Sequence, residues 1–128
     1  MDVFVYGRLL DPHEALRVIP DVTFGPNATL DGLHTVERKH PTLAPGGSAA
    51  GQLLSTEQIG ALDAYEGVDE GTYVRVEVPN ADGGTVAAYV GNPDRLDSGA
   101  SIEWPGEGEL EERVARYVDR EGVVVRPE

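Results

Sequence analysis

Glycine and proline punctuate this chain from end to end. The 16 glycines and 9 prolines are scattered rather than gathered into a linker. Proline fixes φ and removes a backbone donor, and glycine frees the chain to turn, so each interrupts regular structure. The chain is thereby held to short elements joined by many turns. It contains no internal repeat and no low-complexity block.

Between the turns, local chemistry predicts the elements. Val3-Phe4-Val5-Tyr6 reads as a strand that stops at Gly7. Asp11-Pro12-His13-Glu14 is a helix start, with Asp as cap, Pro at the first helical position and Glu at the third. That helix covers Pro12 to Ile19 and is ended by Pro20. Val22 to Phe24 and Ala28 to Glu37 are predicted strands, broken at Gly25-Pro26-Asn27, and Arg38 to Gly47 reads as loop. Ala49 to Leu54 is a further strand. Ser55-Thr56-Glu57-Gln58 has the form of a capping box opening a helix that turns Ile59, Ala61 and Leu62 inward and runs out near Tyr65, with Gly67 as terminator.

Tyr73 to Val78 alternates, with Val74, Val76 and Val78 on one face and Tyr73, Arg75 and Glu77 on the other. Asp82-Gly83-Gly84 makes a hairpin turn, and Thr85 to Val90 returns. Leu110, Val114, Tyr117 and Val118 recur at helical spacing up to Gly122, and Val123 to Val125 adds a last strand. Strands outnumber helices, and tight turns join consecutive strands. The expected fold is α+β, a small mixed β-barrel with flanking short helices. At 128 residues, a single domain over 1–128 with one core is expected.

Charge narrows the function classes. Lys and Arg number 10 against 23 Asp and Glu, a formal net charge of −13. Phosphate backbones and anionic membranes both require basic surface, so neither nucleic acid nor membrane is an expected partner. Self-repulsion at this charge destabilises a compact state. In about 1 M salt the Debye length falls to roughly 3 Å and the repulsion fades. A salt-rich, halophilic cytoplasm is the expected setting, with an ordinary acidic protein as the alternative. The absence of Cys removes disulfides, thiolate metal sites and a Cys nucleophile. The segment from Met1 to Tyr6 lacks the basic region of a signal peptide, and no run is long enough to span a membrane, so a cytoplasmic location is expected.

Few chemical motifs survive inspection. There is no Gly-x-Ser-x-Gly elbow and no Rossmann or Walker glycine pattern. His13, His34 and His40 lack ligand spacing and read as structural or surface residues. Asp69-Glu70 and Glu111-Glu112 read as solvated surface.

Two segments remain. In Tyr6-Gly7-Arg8-Leu9 the backbone can turn sharply and present successive N–H groups to an anion or a polarised carbonyl. A plain strand-to-helix connection is the commoner meaning of such a turn. In Leu62-Asp63-Ala64-Tyr65-Glu66-Gly67-Val68, Asp63 and Glu66 stand at the negative end of a helix, a local cost that points to a tertiary or functional reason.

Taken in order, these segments resemble the γ-glutamylcyclotransferase-like family, including its AIG2-like and γ-glutamylamine cyclotransferase branches. The resemblance covers about residues 2 to 93. It rests on Val5-Tyr6-Gly7-x-Leu9, His40-Pro41-Thr42-Leu43, Gly51 in a strand, Leu62-Asp63-x-x-Glu66-Gly67, and Tyr73-x-Arg75 with Val76-x-Val78. It implies a small mixed β-barrel, a catalytic glutamate at Glu66, and a substrate-cradling loop at Tyr6, Gly7, Arg8 and Leu9. The family usually carries Ser or Thr where this chain has Arg8, and a guanidinium there either binds a substrate carboxylate or blocks the pocket.

The implied reaction is an intramolecular aminolysis of a small γ-glutamyl amide or amine. The substrate's own α-amine closes 5-oxoproline, so no cofactor and no metal are expected. Tyr6, Tyr73 and Arg75 are candidates to orient the substrate, Arg75 being equally readable as half of a cross-strand ion pair. Two further readings stand beside the enzyme: a non-catalytic module binding an amino acid or amine conjugate, which Arg8 favours, and a scaffold using the acidic segment Glu107 to Glu121.

Overall fold

The computed structural model describes residues 1–37, 40–96 and 102–128. Its elements run β1 (Asp2–Val5), α1 (Pro12–Val18), β2 (Thr23–Val36), β3 (Thr42–Ser55), α2 (Ile59–Glu66), β4 (Tyr73–Pro79), β5 (Thr85–Gly91), α3 (Leu110–Glu121) and β6 (Val124–Pro127). The strands form one sheet in the order β4-β5-β1-β3-β2-β6. β1 lies parallel to β5, with Val3 opposite Ala87. The other neighbouring pairs are antiparallel. Past β4, Asn80 bridges to Val125 of β6, and the Ala81 N–H donates to the Val125 carbonyl at 2.8 Å. The two ends of the sheet therefore meet, and the fold is the curled, barrel-like mixed sheet with short helices that the turn pattern predicts.

Side-chain alternation sorts the interior into two clusters on opposite faces of the sheet. On one face Phe4, Val76, Val78, Val86, Ala88 and Val90 pack with Val114 and Val118 of α3. On the other, Val3, Val5, Ala87 and Tyr89 pack against Ala15 of α1 and Leu62 of α2. β5 is thus buried on both faces, as expected of a strand with helices on each side.

Local signals hold where the chemistry is local. Asp11 caps α1, its carboxylate accepting from the His13 N–H at 2.9 Å. Gly122 ends α3 with φ 66°. Three expectations are corrected. The break at Gly25-Pro26-Asn27 is a register shift between Phe24 and Asn27 inside a continuous β2. A bulge absorbs the unpaired residues, and Pro26 sits where no ladder donor is required. The loop predicted for Arg38 to Gly47 instead contributes Thr42 to Gly47 to β3, paired with the far end of β2 as in Thr42 opposite Val36 and Pro45 opposite Leu33. The capping box does not form: Ser55 ends β3 and α2 begins at Ile59. Thr56 takes the polar role, accepting from the Gln58 N–H at 2.9 Å and donating to Asp21.

Among the described residues, no helix is long and apolar enough to cross a membrane. Several ion pairs, including Arg116–Glu112, Arg120–Glu121 and Arg126–Asp31, lie at the surface, where each contributes about 1 kcal/mol or less. They cannot offset a net charge of −13. The melting temperature is therefore expected to rise between low and molar KCl, as the Debye length shrinks from about 10 Å at 0.1 M to about 3 Å. A flat or falling melting temperature across that range, followed by circular dichroism, retires the halophilic reading.

Candidate active site

β1 ends at Val5 and delivers the chain into a single 3-10 turn, Arg8–Leu10. The Leu10 N–H closes on the Gly7 carbonyl at 3.0 Å and the Asp11 N–H on the Arg8 carbonyl at 3.1 Å. Among the described residues the N–H groups of Gly7, Arg8 and Leu9 have no hydrogen-bond partner. A helical turn leaves its first donors unpaired in this way, and three successive ones make a local anion cradle.

The facing wall is the end of α2. Gly67 adopts the left-handed conformation, φ 73° and ψ 40°, as its C-cap. Its N–H donates to the Ala64 carbonyl, and the Val68 N–H donates to the Asp63 carbonyl at 3.0 Å. This closure needs a residue without a Cβ. It ends the helix at Glu66 and turns that side chain toward the 3-10 turn.

Between these walls lies a cavity of about 400 Å³, a volume suited to a small ligand. Tyr6, Gly7, Arg8, Leu9, Glu66 and Tyr73 all line it. Glu66 is half-buried, and burial pushes its carboxyl from the ordinary 4.5 up to about 7, while the charge of Arg8 pulls the other way. Among the described residues no hydrogen bond or ion pair engages this carboxyl. It is a carboxylate poised to gain or lose a proton near neutrality.

Arg75 stands apart. It does not line the cavity. Its guanidinium donates to both oxygens of Asp63, at 3.2 and 3.0 Å, and Asp63 also accepts from the Tyr89 hydroxyl at 2.7 Å. Arg75 is therefore half of an ion pair, but the acid lies on the helix α2 and not across strands as expected. Asp63 thereby finds its tertiary reason at the negative end of α2: it ties that helix to β4 and β5.

Several lining residues are not among the site candidates drawn from the sequence: Tyr65, Tyr89, His40, Pro41, Glu70 and Thr72, of which His40 and Pro41 fall in a motif quoted above, also line the cavity. Four tyrosines therefore surround Glu66, and each hydroxyl proton is committed elsewhere. Tyr6 donates to the Tyr89 carbonyl at 2.6 Å, Tyr73 to the Pro41 carbonyl at 2.6 Å, Tyr65 to Glu14 at 2.7 Å, and Tyr89 to Asp63. Burial raises all four phenols, Tyr65 and Tyr73 to about 12 and Tyr6 and Tyr89 well above their ordinary value. None of them can act as a base near neutrality. They supply rigid apolar walls around the Glu66 carboxyl. The available signal for Tyr65 is its place beside Glu66; nothing local marks Tyr89. Among the described residues, no three His, Asp or Glu side chains converge as metal ligands.

Comparison with known proteins follows the same outline. A solved structure described as a gamma-glutamyl cyclotransferase superposes with a TM-score of 0.60 at 22% identity, over 71% of this chain and 66% of that one. This chain therefore spans just under two thirds of that protein's length. An uncharacterized protein from Homo sapiens superposes at 0.60 with 20% identity, over 90% of this chain and 97% of its own. A protein from Arabidopsis thaliana does so at 0.56 with 26% identity, over 93% and 83%. No curated protein matches the sequence. The family model for gamma-glutamyl cyclotransferase, AIG2-like, matches residues 3–105, a span that contains the 3-10 turn, the end of α2 and every residue lining the cavity. The chain belongs to the gamma-glutamyl cyclotransferase, AIG2-like family.

Proposed function

We propose that this chain is a γ-glutamylcyclotransferase-like enzyme that converts a γ-glutamyl amide or amine into 5-oxoproline and the free amine, with Glu66 as general acid and base. The observation that carries this reading is the half-buried Glu66 carboxyl, raised to about 7, across one cavity from the unpartnered N–H groups of Gly7, Arg8 and Leu9.

The reaction carries its own nucleophile. The α-amine nitrogen attacks the γ-carbonyl carbon, a five-membered ring closes, and the bond from that carbon to the departing nitrogen breaks. Holding the substrate folded in this geometry is worth up to about 7–11 kcal/mol in the best intramolecular cases. The remaining difficulty is proton traffic. An α-ammonium has a pKa of about 7.7–8.0, close enough to Glu66 for transfer in either direction. Glu66 takes the ammonium proton to free the amine for attack and returns it to the departing nitrogen, which also receives the proton the ring nitrogen sheds, so the amine leaves as an ammonium. The N–H groups of the 3-10 turn are placed to hold an anionic oxygen of the substrate. Tyr6 and Tyr73 shape the cavity and exclude water from it.

A second reading is a binding module on the same fold. It draws on Arg8, whose charge opposes the rise in the Glu66 pKa and so weakens Glu66 as a base. Incubation with a panel of γ-glutamyl compounds, with mass detection of 5-oxoproline, separates the two. Product supports the enzyme; saturable binding without product supports the module.

A further inference from the structure

The cavity carries a cation that internal structure leaves unused. In this acid-rich chain arginines find partners readily: Arg17 holds Glu14, Arg75 holds Asp63, Arg116 holds Glu112, Arg120 holds Glu121, and Arg126 holds Asp31. Arg113 donates to the Trp104 carbonyl. Arg8 is exposed, lines the cavity, and has no ion pair among the described residues. Its charge acts on Glu66, Tyr65 and Tyr73, which line the cavity with it, and on Glu14, which holds the Tyr65 hydroxyl.

One acid within reach of its charge, Glu14, is already spent. Glu14 Oε1 accepts from Arg17 Nε at 2.9 Å. Its Oε2 accepts from Arg17 Nη2 at 3.0 Å and from the Tyr65 hydroxyl at 2.7 Å. A guanidinium without an ion pair among the described residues at the mouth of a cavity, in a protein of net charge −13, is a ready receptor for a carboxylate that arrives from outside.

Geometry indicates which carboxylate. On the cyclotransferase reading above, on which this step rests, the γ-glutamyl half must reach Glu66 inside the cavity, and its α-carboxylate is of the kind that accepts from backbone N–H groups. The departing amine then extends toward the open side, where Arg8 stands. We infer that Arg8 is a specificity-determining residue that selects γ-glutamyl substrates whose departing amine itself bears a carboxylate, namely γ-glutamyl amino acids and peptides, over γ-glutamyl derivatives of simple amines. The cavity of about 400 Å³ accommodates a dipeptide-sized molecule.

The test compares γ-glutamyl-alanine with γ-glutamyl-ethylamide, which differ at the departing end by the carboxylate alone. For the wild-type protein, kcat/KM should favour the alanine compound by about 10–100-fold, the range a charged hydrogen bond supports. Arg8→Gln should shrink that preference to within about threefold, and Arg8→Lys should retain part of it by keeping the charge without the planar fork. Because Arg8 is exposed, neither variant threatens the fold. Equal rates in the wild type, or a preference that survives Arg8→Gln, overturns the inference. Should neither compound release 5-oxoproline, the catalytic reading fails, and calorimetric titration of the same two compounds decides the inference separately. Tighter binding of γ-glutamyl-alanine that Arg8→Gln removes sustains it, while equal binding or none overturns it.

Discussion

Glu66→Gln is expected to reduce 5-oxoproline release by about 10²–10⁴-fold, the usual consequence of losing one general acid–base group. Glutamine keeps the length and shape of the side chain at the end of α2 but cannot accept the ammonium proton. The same substitution has a second, independent signature. In the folded protein the Glu66 carboxyl titrates at about 7 rather than its ordinary 4.5. The native state therefore holds its proton more tightly than the unfolded chain. The stability associated with the neutral carboxyl is complete below about 4.5 and is lost as pH rises through about 7, by roughly 3 kcal/mol at most. Glu66→Gln should match the wild type in denaturation at pH 4 and exceed it at pH 8. Undiminished turnover by Glu66→Gln removes Glu66 from the mechanism. Equal stability of the two proteins at pH 8 removes the raised Glu66 pKa that the mechanism relies on. The pH profile carries the same signature, since wild-type kcat/KM should rise through the region near 7 as Glu66 ionises to become the base.

Sequence and structure agree for most elements whose cause lies within a few residues, the exception being the capping box at Ser55, where Thr56 bonds Asp21 instead. Asp11 and Pro12 start α1, Gly67 and Gly122 end helices, and Asp82-Gly83-Gly84 joins β4 to β5. They part where pairing partners are distant. Pro26, Pro45 and the glycines around them interrupt any local strand pattern, yet β2 and β3 each span 14 residues because each supplies the other's ladder across two register shifts. The site divides along the same line. Glu66 and the turn after β1 are visible as short motifs. Of the tyrosine shell, Tyr6 and Tyr73 are named with them, but Tyr89 is not, because it lies on a strand buried on both faces, and only the parallel pairing of β5 with β1 brings it beside Tyr6. Arg75 shows the reverse limit. Its position in the alternating strand puts it on the face with Tyr73, but proximity to Asp63 and not to the cavity settles its partner.

Gly51→Ala should destabilise the protein by about 3 kcal/mol, at the upper end of the usual cost of overpacking a core. A Cβ at this position would lie 2.2 Å from the Val5 carbonyl oxygen and 2.7 Å from Cζ of Phe4. Neither neighbour can yield cheaply. The carbonyl belongs to β1, which is fixed between β3 and β5, and Phe4 is 1% exposed in the larger apolar cluster. Relief therefore requires β1 itself to move, and β1 leads directly into the turn that carries Gly7, Arg8 and Leu9. The same methyl group at Gly60 offers the contrast. Gly60 lies in α2, and a Cβ there meets nothing within 4 Å. Gly60→Ala should stabilise the protein by about 0.5–1 kcal/mol through helix propensity and the reduced freedom of the unfolded chain. Urea denaturation of the two variants beside the wild type measures both shifts, provided the denaturant slope is unchanged. If Gly51→Ala falls within about 1 kcal/mol of the wild type, β1 does not cross β3 as closely as these distances require. The glycine in that strand would then have no steric role in placing the Tyr6 to Leu9 wall against Glu66.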